Sequence, residues 1–123
     1  MNYDRRGTRV ASELSMATVM DEYVMRLVSE LKQALTRENA SPVTSDGGPD
    51  AGTIDAQFGP VSVRIAYEHV QGVISAGAMM YKTGKNSPKP RIDKSTRNRY
   101  GAEVTLNEIV RSLVKQALQF REL

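Results

Sequence analysis

The chain has no cysteine and no tryptophan, and only two phenylalanines and one histidine among its 123 residues. Without thiols there is no disulfide, no thiolate nucleophile and no Cys-ligated zinc. One histidine excludes a His-based metal cluster, and no carboxylates stand at metal-ligand spacing around His69. No apolar run approaches the roughly 18–20 residues of a membrane span. The opening MNYDRRGTRV is too polar for a secretory signal. These absences place the expected site of action in the cytoplasm, or in a particle assembled there. With so few aromatics, the core has to be built from Leu, Val, Ile, Ala and Met. Six methionines provide adaptable packing surfaces, suited to interfaces as well as interiors.

Charge is present but unevenly placed. Residues 82–99 read KTGKNSPKPRIDKSTRNR and hold seven cations, Lys82, Lys85, Lys89, Arg91, Lys94, Arg97 and Arg99, against the single anion Asp93. That segment is +6 in a chain of +3, so the remainder carries −3. A mildly acidic body bearing one basic, Pro- and Ser-containing segment suggests contact with phosphate or with an acidic surface. The plainer alternative is a solvated loop.

The length suits one domain. Residues 1–14 are polar and basic around Gly7 and read as an arm. Residues 15–123 read as a single α+β domain with a basic loop at 82–99. A helix is expected over 16–38, because Met20, Val24, Leu27, Val28, Leu31, Ala34 and Leu35 follow the 3/4 spacing of one helical face. That face packs on the chain's own sheet or forms a seam with a neighbouring subunit. Residues 39–52, NASPVTSDGGPDAG, show no period and read as a loop. Strands are expected at 53–58 and 61–68, where Ile54, Ala56 and Phe58, then Val61, Val63, Ile65 and Tyr67, alternate. Gly59-Pro60 joins them as a hairpin. Residues 72–82 fit either a helix face (Val73, Gly77, Tyr81) or a strand. Gly72 and Gly77 weigh against a helix, so a strand is expected, with a bulge near a glycine. Thr105-Leu106-Asn107-Glu108 has the form of a capping box, and a second helix follows over 105–121 with Leu106, Ile109, Val110, Leu113, Val114, Ala117 and Phe120 on one face. The expected fold is two amphipathic helices on one face of an antiparallel sheet of two to three strands.

Little reactive chemistry is on offer. Glu68 and His69 are neighbours on an expected strand, so they point to opposite faces and make no direct pair. Lys82-Thr83-Gly84-Lys85 resembles half a phosphate loop, but the full Gly-x4-Gly-Lys-Ser/Thr pattern is absent. An enzyme using Glu68 or His69 is the least favoured class, and no metal or cofactor is expected. The basic segment has three readings. For nucleic acid, its cations neutralise phosphates, and Tyr81 and Tyr100 at its ends either stack on bases or sit at the edge of the core. For a small nucleotide, Arg91, Arg97 and Arg99 can fork onto phosphate oxygens. For protein assembly, Pro88 and Pro90 hold the segment extended across an acidic neighbour.

The order of motifs resembles the neck and tail-completion proteins of tailed bacteriophages. A helix ends in Asn39-Ala40-Ser41-Pro42-Val43-Thr44. Two strands follow, then Ala66-Tyr67-Glu68-His69-Val70-Gln71-Gly72, then Pro88-Lys89-Pro90-Arg91, and then a closing helix. The family pattern is a helix leading to Ala-Pro-Val-x-Thr-Gly, strands, an aromatic-Val-Glu-Phe-Gly-Thr segment, Pro-Arg-Pro and a helix. Three departures stand out. Ser45-Asp46-Gly47-Gly48 replaces Thr-Gly and an apolar residue, Glu-Phe-Gly-Thr is missing, and the closing helix begins later than in the pattern. The resemblance implies a non-catalytic ring subunit near the head–tail junction, located in the virion or the host cytoplasm and packed against itself and neighbouring assembly proteins. The alternative is a small phage-type protein that captures a nucleic acid or nucleotide through residues 82–99, as an inhibitor or sponge acting against a host defence would.

Overall fold

The computed structural model describes residues 5–82 and 91–122, with side chains at 19–81 and 95–122. The elements run α1 (Arg5–Arg37), β1 (Val43–Gly47), β2 (Ala51–Phe58), β3 (Val61–Val70), β4 (Val73–Lys82), β5 (Arg91–Ser95), β6 (Asn98–Tyr100) and α2 (Leu106–Arg121). This is an α+β fold. All strand pairs are antiparallel, in the order β1-β2-β3-β4-β5, with β6 also on β4. β5 and β6 follow one another along the same edge of β4, so among the described residues six strands fill five positions.

The sheet is therefore larger than the two to three strands expected, for a physical reason at each edge. β1 lies inside the expected loop and only Val43 is partly covered, while its other four residues are exposed. An uncovered edge strand has no hydrophobic alternation to read. β5 and β6 lie inside the expected basic loop 82–99, and their charges hid them in the same way. Residues 83–90 of that loop, with Lys85 and Lys89, are outside the described residues. β2 and β3 extend slightly past the expected bounds, and the strand expected at 72–82 is β4, Val73–Lys82, with Gly72 in the preceding turn. The register irregularity falls between Met80 and Tyr81, not at a glycine.

α1 starts at Arg5, so most of the expected arm is helix. Residues 5–15 contain no proline, and the single Gly7 costs about 1 kcal/mol, too little to stop a long helix. The other end closes in a Schellman motif. Asn39 adopts φ 70°, its N–H donates to Thr36 O at 3.0 Å, and Ala40 N–H donates to Leu35 O at 3.1 Å. Ala40 and Leu35 are both buried beneath this turn.

The core lies between one face of the sheet and the two helices. Val24, Leu27, Val28, Leu31 and Leu35 come from α1, and Ile109, Leu113, Ala117 and Phe120 from α2. They meet Ile54, Ala56, Phe58, Val63, Ile65, Tyr67, Ile74, Ala76, Ala78 and Met80 of the sheet. α1 lies against β1 and β2, α2 against β3 and β4, and the helices touch each other. The capping box on α2 is formed: Glu108 N–H donates to Thr105 Oγ1 at 3.2 Å, and Thr105 N–H to Glu108 Oε2 at 3.0 Å. Among the described residues no buried side chain is charged, and no helix is long and apolar enough to cross a membrane.

Candidate functional site

Strand parity decides which residues reach the uncovered face. The residues that alternate with the core set (Asp55, Arg64, Ala66, Glu68, Ser75, Gly77, Met79, Tyr81, Arg97 and Arg99) point away from the helices. The register sets them in rows across the strands: Asp55–Arg64–Met79–Ser95 in one, Glu68–Ser75–Arg99 in another. Between these rows Thr53, Ala66 and Gly77 leave a shallow trough.

Arg64 is committed within its row. Its Nε donates to Asp55 Oδ1 at 2.7 Å and its Nη2 to Asp55 Oδ2 at 3.3 Å. That hydrogen bond, ahead of a smaller opposing effect of burial, holds the guanidinium above its ordinary pKa. The same guanidinium lies 5.4 Å from the Tyr81 ring centroid. Tyr81 therefore already carries a cation on one ring face, which leaves at most the other for a base.

The basic edge is positioned by a polar network behind it. Thr96 N–H donates to Ala78 O at 2.8 Å, and Ala78 N–H donates to Thr96 Oγ1 at 3.0 Å. The Thr96 hydroxyl also bonds Gln116 Oε1. Gln116 Nε2 donates to Ser112 Oγ at 3.1 Å, and Tyr100 OH shares a 2.8 Å hydrogen bond with Ser112 Oγ. Thr96 and Tyr100 thus fasten the edge strand to α2, and Arg97 and Arg99, on the alternate parity, are left exposed. Gly77 makes this docking possible. A Cβ there would lie 1.8 Å from Thr96 O, so only glycine lets the strand approach.

The expected contact residues divide accordingly. Arg97 and Arg99 share one surface depression with Glu68, Gln71 and Ser75. Among the described residues neither arginine has a carboxylate within ion-pair distance. Lys82 and Arg91 are register partners at the far end of β4, and Lys94 pairs with Met80. Tyr100 is corrected. It is 8% exposed with its hydroxyl bonded into α2, so it is a core-edge residue and offers no ring to a base. Glu68 is exposed on the open face while His69 has the opposite parity, half-buried, with Nε2 buried and unpartnered. Among the described residues no three His, Asp or Glu side chains gather as metal ligands.

Comparison with known protein families, curated proteins and solved structures finds no match. The site therefore has to be read from its own geometry. Sequence reasoning missed Thr96, Ser112 and Gln116, the residues that orient the arginines. Their only signal was the alternation Thr96-Arg97-Asn98-Arg99-Tyr100, which the surrounding charge obscured.

Proposed function

We propose that the protein is a non-enzymatic subunit of a homo-oligomeric assembly, and that it works by contact through the basic edge of its sheet. The observation that carries this reading is the mixed sign of the depression at that edge. Arg97 and Arg99 line it together with the Glu68 carboxylate. The Glu68 carboxylate offsets part of the attraction that the two cations exert on a polyanion. A protein surface bearing both signs meets cation and carboxylate alike, and complementary mixed charge fixes register between subunits. The resemblance to phage neck and tail-completion proteins suggests the setting, a virion's head–tail junction. The second reading, capture of a phosphate-bearing ligand, is favoured by the exposure of Arg97 and Arg99 on one face beside the Ser75 hydroxyl.

Sedimentation of the wild type against Arg97→Glu/Arg99→Glu tests the reading. The expected result is a wild-type mass that is a multiple of 13.6 kDa, reduced in the double variant with the circular dichroism spectrum unchanged. A wild type that stays monomeric at micromolar concentration overturns it. Tight wild-type binding of a single-stranded oligonucleotide, weakening steeply with salt and lost in the double variant, would establish the second reading in its place.

A further inference from the structure

The two edges of the sheet differ in kind. The β5–β6 edge carries Arg91, Lys94, Arg97 and Arg99 in its sequence, the usual guard against pairing with another strand. β1, Val43–Gly47, has no lysine, arginine or proline, and four of its five residues are exposed. Its one charge, Asp46, is an anion turned back onto its own Gly47 N–H, so β1 is the less guarded of the two edges.

The phase of its hydrogen bonding follows from its neighbours. Gln57 N–H donates to Pro42 O at 3.1 Å and Gly48 N–H to Ala51 O at 3.0 Å, in register with the ladder. By antiparallel alternation Thr44 and Asp46 bond β2, while Val43, Ser45 and Gly47 turn their main-chain groups outward. Gly47 N–H accordingly finds its partner in Asp46 Oδ1 at 2.9 Å. The three outward residues are symmetric about Ser45.

We infer that β1 is the dyad of a homodimer: two copies join β1 to β1, antiparallel and centred on Ser45, into one continuous sheet. This deepens the assembly reading, on which it rests, by naming a second interface at the opposite edge from Arg97 and Arg99. In this register the two Ser45 residues exchange N–H···O=C bonds, and Val43 N–H of each copy donates to Gly47 O of the other. Thr44 of one copy stands opposite Asp46 of the other. A shift that centres the dyad on Asp46 sets two carboxylates face to face, which disfavours it. A dyad on the β5–β6 edge sets four cations against four. The flank of α1 beside β1 is polar and cationic. Lys32, Gln33, Thr36 and Arg37 border Val43. Met25, 42% exposed, lies on that helical face at the spacing of Ser29, Gln33 and Thr36. The dyad sets this flank on the same side of the joined sheet as its copy, so the β1 ladder has to outweigh the repulsion between the cations.

The test is the mass of wild type, Ser45→Pro, Thr44→Asp and Thr44→Lys by sedimentation equilibrium, with circular dichroism as a folding control. Proline removes an N–H that β2 does not use, which an edge strand tolerates. Its expected effect is dissociation of the wild-type species with the fold intact. Thr44→Asp faces Asp46 of the other copy and should raise the dimer Kd, and Thr44→Lys should lower it, each roughly 2–30-fold over two symmetric sites. If Ser45→Pro is folded and keeps the wild-type mass, the inference falls and the assembly reading stands. If Ser45→Pro does not fold, the Thr44 pair decides: opposite shifts support the dyad, and equal ones overturn it. A wild type that is monomeric throughout overturns both.

Discussion

Substitution of Gly77 by alanine tests the linkage between the core and the basic edge. No left-handed backbone is involved, so the whole effect is steric. The new methyl would lie 1.8 Å from Thr96 O and 2.6 Å from Thr96 C, and both are backbone atoms that no rotamer change can move aside. Ordinary contact needs about 3.5 Å or more. The edge strand must therefore retreat, and the bonds Thr96 N–H to Ala78 O and Ala78 N–H to Thr96 Oγ1 stretch beyond use. Two hydrogen bonds are together worth about 1–3 kcal/mol, and overpacking a tight site costs about 1–3 kcal/mol on its own terms. The two estimates overlap, so the expected loss is about 2–4 kcal/mol in urea titration. Hydrogen exchange should localise it, with amides of β5 and β6 losing protection before those of β2 and β3. An alanine variant within about 0.5 kcal/mol of wild type would refute the close approach, and with it the argument that glycine is required for the edge to dock.

Other expectations follow from burial and capping. Leu113→Ala, at 0% exposure in the middle of α2, should cost about 2–5 kcal/mol by denaturant titration. A loss under about 1 kcal/mol would mean that this face of α2 is not core. Thr105→Ala removes the hydroxyl that receives Glu108 N–H and should cost roughly 0.5–2 kcal/mol, with Thr105→Asp much closer to wild type in thermal melts. Tyr67 is buried with its hydroxyl donating to Gly48 O at 2.6 Å, and burial pushes its phenol above the ordinary 10.0. The unfolded chain thus loses this proton first. The associated stability is full below about pH 10 and is lost as pH rises through the folded value. Ultraviolet titration of wild type against Tyr67→Phe should show one late-titrating phenol missing from the variant.

The parts legible in the sequence were those whose pattern is set by one-sided burial. Val61, Val63, Ile65 and Tyr67 alternate because one face of β3 meets helices. Ile109, Leu113, Ala117 and Phe120 recur at helical spacing for the same reason, and Thr105 with Glu108 marks a helix start by local hydrogen bonding alone. The edges were illegible because their strand character comes from a neighbour. Val43–Gly47 and Asn98–Tyr100 are strands because β2 and β4 offer them a ladder, and their own residues bury too little to show a period. Arg97 and Arg99 were named from charge. Their orientation depends on Thr96 and Tyr100 being held by Ser112 and Gln116 of α2, a contact over 12–20 residues of chain. The choice between stacking and core edge at Tyr100 was open for that reason, and its place beside Ser112 decides for the core edge.

The apposition of α1 and α2 has a consequence during synthesis. The apolar stripe from Val24 to Leu35 is made well before one of its partners, α2. Arg121 even reaches back to Glu38, its Nη1 lying 3.7 Å from the Glu38 carboxylate. Eighty-four residues separate the end of α1 at Arg37 from the end of α2 at Arg121. At about 5–20 residues per second, ribosomes take roughly 4–17 s to cover that distance. For those seconds every nascent copy displays part of a leucine-rich helix face beside neighbours on the same message. A chain that depends on the later α2 for cover is exposed to premature association with its siblings, and the demand for chaperone holding falls on α1 rather than on the sheet.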